Sequence, residues 1–225
     1  MIEQLYKIMG NQWRNYIGFY SLRNHALINN VPKTEIIYIH SKLMIVDDTK
    51  VLLGSANIND RSMLGTRDSE FAAIISEKRE MTNRINGRKF LMNGVNYSAA
   101  HFAVTFRKAL MAEHLGITAD DPILDDPVSN KLHNFIVNRA RVNTRLYHDV
   151  FGCYPDDAYT NLEILKNVKK MKEQEKPEIL LNKYNLAKNQ IVGHIVEYPL
   201  NFLKEENLGI SFFSKENLVP EYNFT

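Results

Sequence analysis

Hydrophobic and polar positions in the first third of the chain follow two different periods. Residues 3–20 carry apolar side chains at helical spacing, which predicts a helix followed by the start of a strand. Residues 35–46 are rich in β-branched and aromatic residues, so a buried strand is expected there. The composition of residues 47–50 is typical of a turn. Short strands are then predicted at 51–53, which would complete a hairpin, and at 70–76.

Helical spacing dominates the middle of the chain. Apolar residues recur every four positions over 102–110, and Gly116 is expected to end that helix. A second helix is predicted to begin at Asp126, as an N-cap followed by proline, and to end near Gly152. A third helix opens at Thr160, where the spacing to the following glutamate is that of a capping box.

The last third of the chain is more polar. Residues 166–176 are mostly charged, which predicts a solvated helix face or a linker, and the apolar run at 191–196 predicts one more strand. Strands first, then helices, then a short strand is an order typical of an α/β layer structure. Three or four strands make a small sheet, so we expect it to pack against a partner.

Composition and charge narrow the class of protein. The chain has 225 residues, of which 44% are hydrophobic, and this is enough to bury a sizeable core. The formal net charge is only +2, so charge alone does not call for nucleic acid or an anionic membrane. Cys153 is the single cysteine, which excludes a disulfide within the chain and favours a reducing compartment. We expect it to be a partly buried small residue.

Two residues on the predicted strand could carry chemistry. His40 and Lys42 stand two positions apart, so on a strand they point to the same face. A neutral histidine can attack phosphorus, and an imidazolium can protonate a leaving oxygen. A lysine beside it can stabilise a phosphoryl group as a point charge.

Four further polar residues of the same region could take part in the chemistry. Ser55 and Asn57 come directly after Gly54, and a hydroxyl and an amide there can donate hydrogen bonds to phosphate oxygens. Glu70 begins the next apolar run, where a carboxylate could hold an imidazole in one tautomer. Asp47, at the strand end, could cap the turn or hydrogen-bond the framework of the site.

Each of these residues alone is ordinary, but together they match the pattern H-x-K-x4-D-x6-G-S-x-N at every specified position. That pattern is similar to the HKD motif of the phospholipase D superfamily, which also contains nucleases, phospholipid synthases and tyrosyl-DNA phosphodiesterases. The run GSANINDRSMLGTRDSE resembles the second motif of eukaryotic phosphatidylcholine-hydrolysing phospholipase D. The resemblance extends to residues 10–16 and 126–129, and the aromatic tail at 222–225 resembles the family's ending.

The resemblance implies a fold and a domain organisation. The expected architecture is an α/β phospholipase D-like fold, with a mixed β-sheet flanked by helices, as one half of a two-lobed catalytic domain. Residues 1–225 would then be the C-terminal catalytic lobe. Its parts would be the HKD motif region at 35–76, a helical region at 98–176, and a C-terminal strand and tail at 190–225.

The resemblance also implies a role for each motif residue. His40 would be one of two catalytic histidines and would act as general acid and base, while Asp47 would support the geometry of the motif. Lys42, Ser55 and Asn57 would bind the phosphoryl oxygens, and Glu70 would orient a histidine. The implied reaction hydrolyses phosphatidylcholine to phosphatidic acid and choline through a phosphohistidine. A primary alcohol can replace water, and the chemistry needs neither a cofactor nor a metal.

Only one HKD motif is present, because none of the other six histidines is followed two residues later by lysine. We therefore expect a fragment, a split gene product or part of an incompletely predicted gene. The partners implied are a phospholipid at a membrane surface and the N-terminal HKD half, with phosphoinositide or small GTPase activators. No nucleic acid is expected as a partner. No stretch approaches the ~18 apolar residues of a membrane span, so the implied location is cytoplasmic, at the membrane periphery.

Two alternatives stay open. The chain could be a single-motif phosphodiesterase that dimerises and acts on nucleic acid or on cardiolipin precursors, although the near-neutral charge and the run after Gly54 speak against a nuclease. It could also be an inactive half-domain that binds a partner without turnover. A large exposed apolar face, together with poor solubility of the chain alone, would favour that third reading.

Overall fold

The structure is a computed structural model, and it describes residues 2–76, 81–85 and 87–207. It begins with helix α1 (Ile2–Met9), continues through a 3-10 helix (Gly10–Asn15) and enters strand β1 (Tyr20–Ile28). The predicted order of helix and then strand is confirmed. Trp13 anchors this segment because its side chain is almost fully buried.

Strand β2 (Val31–Ile36) forms a hairpin with β1, and a turn at Asn29 and Asn30 joins the two strands. Both asparagines have positive φ, a conformation that asparagine tolerates better than most residues. The single strand expected at 35–46 is therefore wrong. The chain leaves the first sheet after Ile36 and joins a second sheet at Lys42, so 37–41 is a crossing segment.

The second sheet has the order β3-β4-β5 and is antiparallel throughout, with β3 at Lys42–Val46, β4 at Lys50–Gly54 and β5 at Ala72–Ser76. The predicted turn, hairpin and third strand are confirmed. One face of this sheet packs through Val51 against Ala100 and Ala103, which lie at and just inside the start of the first long helix. That contact fixes the sheet on the helical part of the molecule.

Residues 81–85 and 87–100 contain six short strands that the sequence pattern did not predict. The strands are β6 (Met81–Thr82), β7 (Arg84–Ile85), β8 (Arg88–Lys89), β9 (Leu91–Met92), β10 (Val95–Asn96) and β11 (Ala99–Ala100). They pair as β7 with β8, β9 with β10, and β6 with β11. Each strand is only two residues long, which is too short to show the alternation of apolar and polar residues that predicts a strand.

Helix α3 (His101–Leu115) ends at Gly116 with φ +66°, and helix α4 (Asn130–Phe151) ends at Gly152 with φ +62°, so both predicted stops are confirmed. The predicted start of α4 at Asp126 is wrong. Ser129 is the N-cap, and its hydroxyl accepts from the Leu132 amide. The Asp126 carboxylate instead accepts hydrogen bonds from three other amides, those of Asn93, Gly94 and Val128.

Two further helices follow, α5 (Leu162–Glu173) and α6 (Pro177–Ala187). The cap of α5 is Asn161, whose side chain accepts from the Ile164 amide, so the expected start at Thr160 is displaced by one residue. The charged run at 166–176, predicted as a solvated helix face or a linker, forms the end of α5 and the connection to α6. Helix α6 itself was not predicted. Strand β12 (Ile195–Glu197) is shorter than expected, and it pairs with β1.

The largest core cluster joins β1, α3, α4, β12 and a short 3-10 helix (Pro122–Asp125). It contains Leu22, Ala112, Leu115, Leu124, Leu132, Ala140 and Ile195. The α/β class is confirmed, and every strand pair within the described ranges is antiparallel. Cys153 is partly buried, as expected, and burial raises the pKa of its thiol.

Among the residues that the structure describes, no helix combines the length and the apolar composition needed to cross a bilayer. The aromatic tail at 222–225, and with it most of the predicted C-terminal tail, lies outside the described residues.

Candidate active site

The histidine of the motif lies in the crossing segment rather than on a strand. His40 is exposed, and its imidazole stacks on the Tyr38 ring with 6.1 Å between the ring centroids. Lys42 is the first residue of β3, and its ammonium donates to the His40 carbonyl oxygen at 2.6 Å. His40 and Lys42 are therefore neighbours, although the strand that was expected to align them is interrupted.

Ser55 lies at the same end of the sheet, because Lys42 pairs with Gly54 across β3 and β4. Its amide donates to the Phe71 carbonyl oxygen at 2.9 Å, and the Phe71 amide donates to the Ser55 hydroxyl oxygen at 3.0 Å. The Ser55 hydroxyl in turn donates a short hydrogen bond to the carboxylate of Glu70. The ladder between β4 and β5 thus brings Ser55 and Glu70 together.

Gly54 is required by this close approach. A Cβ built on Gly54 would lie 2.9 Å from the Phe71 carbonyl oxygen and 3.0 Å from the Ala72 Cβ. Any side chain here would push the two strands apart, and Ser55 would then lose its contact with the neighbouring strand.

Glu70 is ionised more readily than an ordinary glutamate. Hydrogen bonds from Ser55 and then from Ser62 lower the pKa of its carboxyl, and the positive charge of Lys42 acts in the same direction. A carboxylate held in this way stays negative in mildly acidic solution. These contacts position the two hydroxyls, and the expected role of Glu70 in orienting a histidine stays a prediction.

Asn57 follows in the loop after β4. Its backbone amide donates to the Ser62 hydroxyl at 3.1 Å, and Ser62 belongs to a short helix, α2 (Asp60–Met63). The side chain of Asn59 caps that helix by accepting from the Ser62 amide. Asn57 is thereby held near Ser55 and Glu70, on a loop that is fixed by its own hydrogen bonds.

Asp47 lies at the tip of the β3–β4 hairpin, at the other end of the strands from Lys42. It is exposed, with φ +50°. The structure does not bring it to the other motif residues, and its expected supporting role stays a prediction.

Asp48, the residue after Asp47, is buried, and the sequence pattern did not single it out. Asp48 is 4% exposed, its carboxylate accepts from Arg107 Nε and Nη2 at 2.7 and 2.9 Å, and its carbonyl oxygen accepts from the Ala100 amide. The sequence signal for this buried pair is Arg107, a charged residue among the apolar positions of α3.

Large apolar side chains are exposed around the motif residues. They are Tyr38, Ile39, Ile58, Met63, Leu64 and Phe71. Exposed apolar groups collected at one place are typical of a surface that meets a ligand, a membrane or another protein. The site is therefore polar at its centre and apolar around it.

Comparison with known proteins decides the family. A profile of the family described as phospholipase D matches residues 21–155, which is more than half of the chain and includes the whole motif. The chain belongs to the phospholipase D family. The resemblance of the HKD run to eukaryotic phospholipase D is thereby confirmed.

Individual relatives of the phospholipase D family match almost all of the chain. Bovine phospholipase D2 is 40% identical over 222 residues, and mouse phospholipase D1 is 42% identical over 222 residues, in each case covering 98% of this chain. Phospholipase D zeta 1 of Arabidopsis thaliana is 32% identical over 239 residues. The matches cover 23%, 20% and 21% of these relatives, so the chain spans about a fifth of their length.

Proposed function

We propose that this chain supplies one half of the catalytic site of a phospholipase D that hydrolyses phosphatidylcholine to phosphatidic acid and choline. The observation that carries the proposal is the convergence of His40, Lys42, Ser55 and Glu70 at one end of the β3-β4-β5 sheet. An imidazole, an ammonium and a hydroxyl at one place are the groups that displacement at phosphorus requires. The family membership and the relatives' names support the lipid substrate.

Each group has a defined role in the proposed reaction. The histidine of a second motif attacks phosphorus, and the bond between phosphorus and the choline oxygen breaks while His40 gives that oxygen a proton. Lys42, Ser55 and Asn57 stabilise the negative charge on the phosphoryl oxygens. His40 then takes a proton from water, the resulting hydroxide attacks the phosphohistidine, and phosphatidic acid leaves with the histidine free again. A primary alcohol in place of water gives a phosphatidyl alcohol.

Glu70 contributes by holding the Ser55 hydroxyl in place. Because Ser55 donates its hydrogen to Glu70, its oxygen keeps one orientation before the substrate arrives. The hydroxyl has a single hydrogen, so it must turn that hydrogen from Glu70 to a phosphoryl oxygen when the substrate binds, and the fixed position of its oxygen limits the freedom that is lost. The charges of the Glu70 carboxylate and the Lys42 ammonium also attract each other across the site.

The second histidine is the part of the site that this sequence does not supply, since it holds one HKD motif. We propose that it comes from an N-terminal HKD half, and that residues 1–225 form the C-terminal catalytic lobe. The substrate is met at a membrane surface from the cytoplasmic side. Phosphoinositides and small GTPases stay predicted activators.

Choline release tests the substrate and the origin of the second histidine together. Phosphatidylcholine vesicles are supplied to the chain alone and to the chain mixed with the N-terminal HKD half of a relative such as mouse phospholipase D1. Single-stranded DNA serves as the alternative phosphodiester. We expect choline only from the mixture and no cleavage of DNA. Choline from the chain alone would favour a single-motif dimer, and DNA cleavage would contradict the lipid substrate.

A further inference from the structure

Tyr38, His40 and Lys42 stand at alternate positions along the segment that leads into β3. The Tyr38 ring stacks on the His40 imidazole, with 6.1 Å between centroids and 30° between the ring planes. Lys42 lies on the other side of His40 in sequence, with its ammonium on the His40 carbonyl oxygen. The Tyr38 ring therefore lies beside the imidazole that the proposed reaction uses, and the Lys42 ammonium lies on the backbone of the same residue.

The chemical groups of a phosphocholine headgroup follow one another in a fixed order. The phosphoryl oxygens come first, the ester oxygen that leaves with choline comes next, and the trimethylammonium group follows two carbons further on. In the proposed reaction Lys42 holds the phosphoryl oxygens and His40 gives its proton to the ester oxygen. The ammonium end lies two carbons from the oxygen that His40 protonates, which is within reach of a ring that stacks on the same imidazole.

We infer that Tyr38 binds the quaternary ammonium of choline and thereby selects the headgroup of the substrate. This inference rests on the proposed function. A trimethylammonium group has no N–H to donate, so hydrogen-bonding side chains cannot recognise it, whereas the face of an aromatic ring attracts it. Tyr38 is 82% exposed, so the ring face turned away from His40 is accessible to a ligand.

The Tyr38 ring also discriminates between the choline and ethanolamine headgroups. A primary ammonium is compact and strongly hydrated, so moving it from water to a ring face costs more than moving a trimethylammonium group. The aromatic ring therefore favours phosphocholine over phosphoethanolamine, while the phosphoryl end of the two ligands is bound in the same way.

The test measures binding of phosphocholine, phosphoethanolamine and inorganic phosphate to the chain by proton NMR. Bound phosphocholine should show an upfield ring-current shift of its trimethyl protons. Replacing the aromatic ring in Tyr38→Leu should remove that shift and weaken phosphocholine binding about threefold to tenfold, without weakening phosphoethanolamine binding. Tyr38→Phe should keep both properties, because the ring is retained. Tyr16→Leu is the matched control, since Tyr16 is 75% exposed outside the motif region.

The outcomes separate this inference from the proposed function. If the wild-type chain binds phosphoethanolamine as tightly as phosphocholine, or if Tyr38→Leu leaves their ratio unchanged, the role of Tyr38 is wrong and the phosphoryl site stands. If the wild-type chain binds none of the three ligands, the phosphoryl site and the role of Tyr38 are both wrong.

Discussion

Arg107 of helix α3 donates two hydrogen bonds to the carboxylate of Asp48 in the β3–β4 turn, from Nε at 2.7 Å and from Nη2 at 2.9 Å. Both side chains are almost fully buried, at 10% and 4% exposure. The pair ties the hairpin that carries Lys42 and Gly54 to the helix that supports it. A two-point contact of this kind fixes orientation as well as distance.

Removing one member of this pair should destabilise the fold strongly. Arg107→Met keeps the length of the apolar stem but leaves the Asp48 carboxylate buried and unpaired, which costs about 3–5 kcal/mol of unfolding free energy. Urea denaturation measures the loss. Lys7→Met, which breaks the exposed Lys7–Glu3 pair, is the control and should change stability by less than ~1 kcal/mol. Equal stabilities of the two variants would contradict the role given to Arg107.

Gly193→Ala should be among the most destabilising small substitutions. Gly193 has φ +69°, and an added Cβ would lie 2.4 Å from the His114 carbonyl oxygen, so the backbone at the end of α3 would have to move. Gly94→Ala is the matched control, because Gly94 has φ +77° with open space around it. We expect about 1–2 kcal/mol for Gly94→Ala and a further ~1–3 kcal/mol for Gly193→Ala from the clash. Denaturation midpoints that move equally would show that the close approach is not the cause.

The hydrogen bond between Ser55 and Glu70 should be visible in the titration of the carboxyl group. The pKa of Glu70 is lowered mainly by the Ser55 hydroxyl, so Ser55→Ala should raise it. Since the folded-state pKa lies below the unfolded one, the stabilisation is present above the ordinary glutamate pKa and is lost as the pH falls through the lowered value. Carboxyl carbon NMR of Glu70 follows the midpoint directly. Ser98→Ala should leave that midpoint in place, and an unmoved midpoint in Ser55→Ala would contradict the assignment.

Local chemistry made much of this fold predictable. The β3–β4 hairpin followed from a polar turn between apolar runs, and the ends of α3 and α4 followed from Gly116 and Gly152, whose positive φ disfavours other residues. His40, Lys42 and Ser55 follow from the spacing of the HKD pattern, Glu70 follows from its place at the start of an apolar run, and the structure brings all four to one end of a sheet. These features depend on a few neighbouring residues, which is why the sequence alone contained them.

Features that depend on distant partners were not predictable. The β-branched and aromatic residues of 35–46 predict one strand, but the hydrogen-bond partner changes from β1 to β4, so the strand divides in the middle. Asp47 and Asp48 are identical in type, and only the position of Arg107 decides which of them is buried. An aspartate followed by proline is typical of a helix start. The Asp126 carboxylate instead accepts hydrogen bonds from the amides of the β9–β10 turn.

Transphosphatidylation by a His40 variant tests the central claim most directly. The chain and the N-terminal HKD half of a relative are supplied with phosphatidylcholine and a primary alcohol, with His40→Asn as the variant and His101→Asn, at the exposed start of α3, as the control. We predict that phosphatidyl alcohol forms with the wild-type chain and with His101→Asn, and falls at least ~100-fold with His40→Asn, since general acid–base catalysis contributes about that much or more. Product formed equally well by His40→Asn, or no product from the folded wild-type pair, would contradict the assignment of this chain as a phospholipase D half-site.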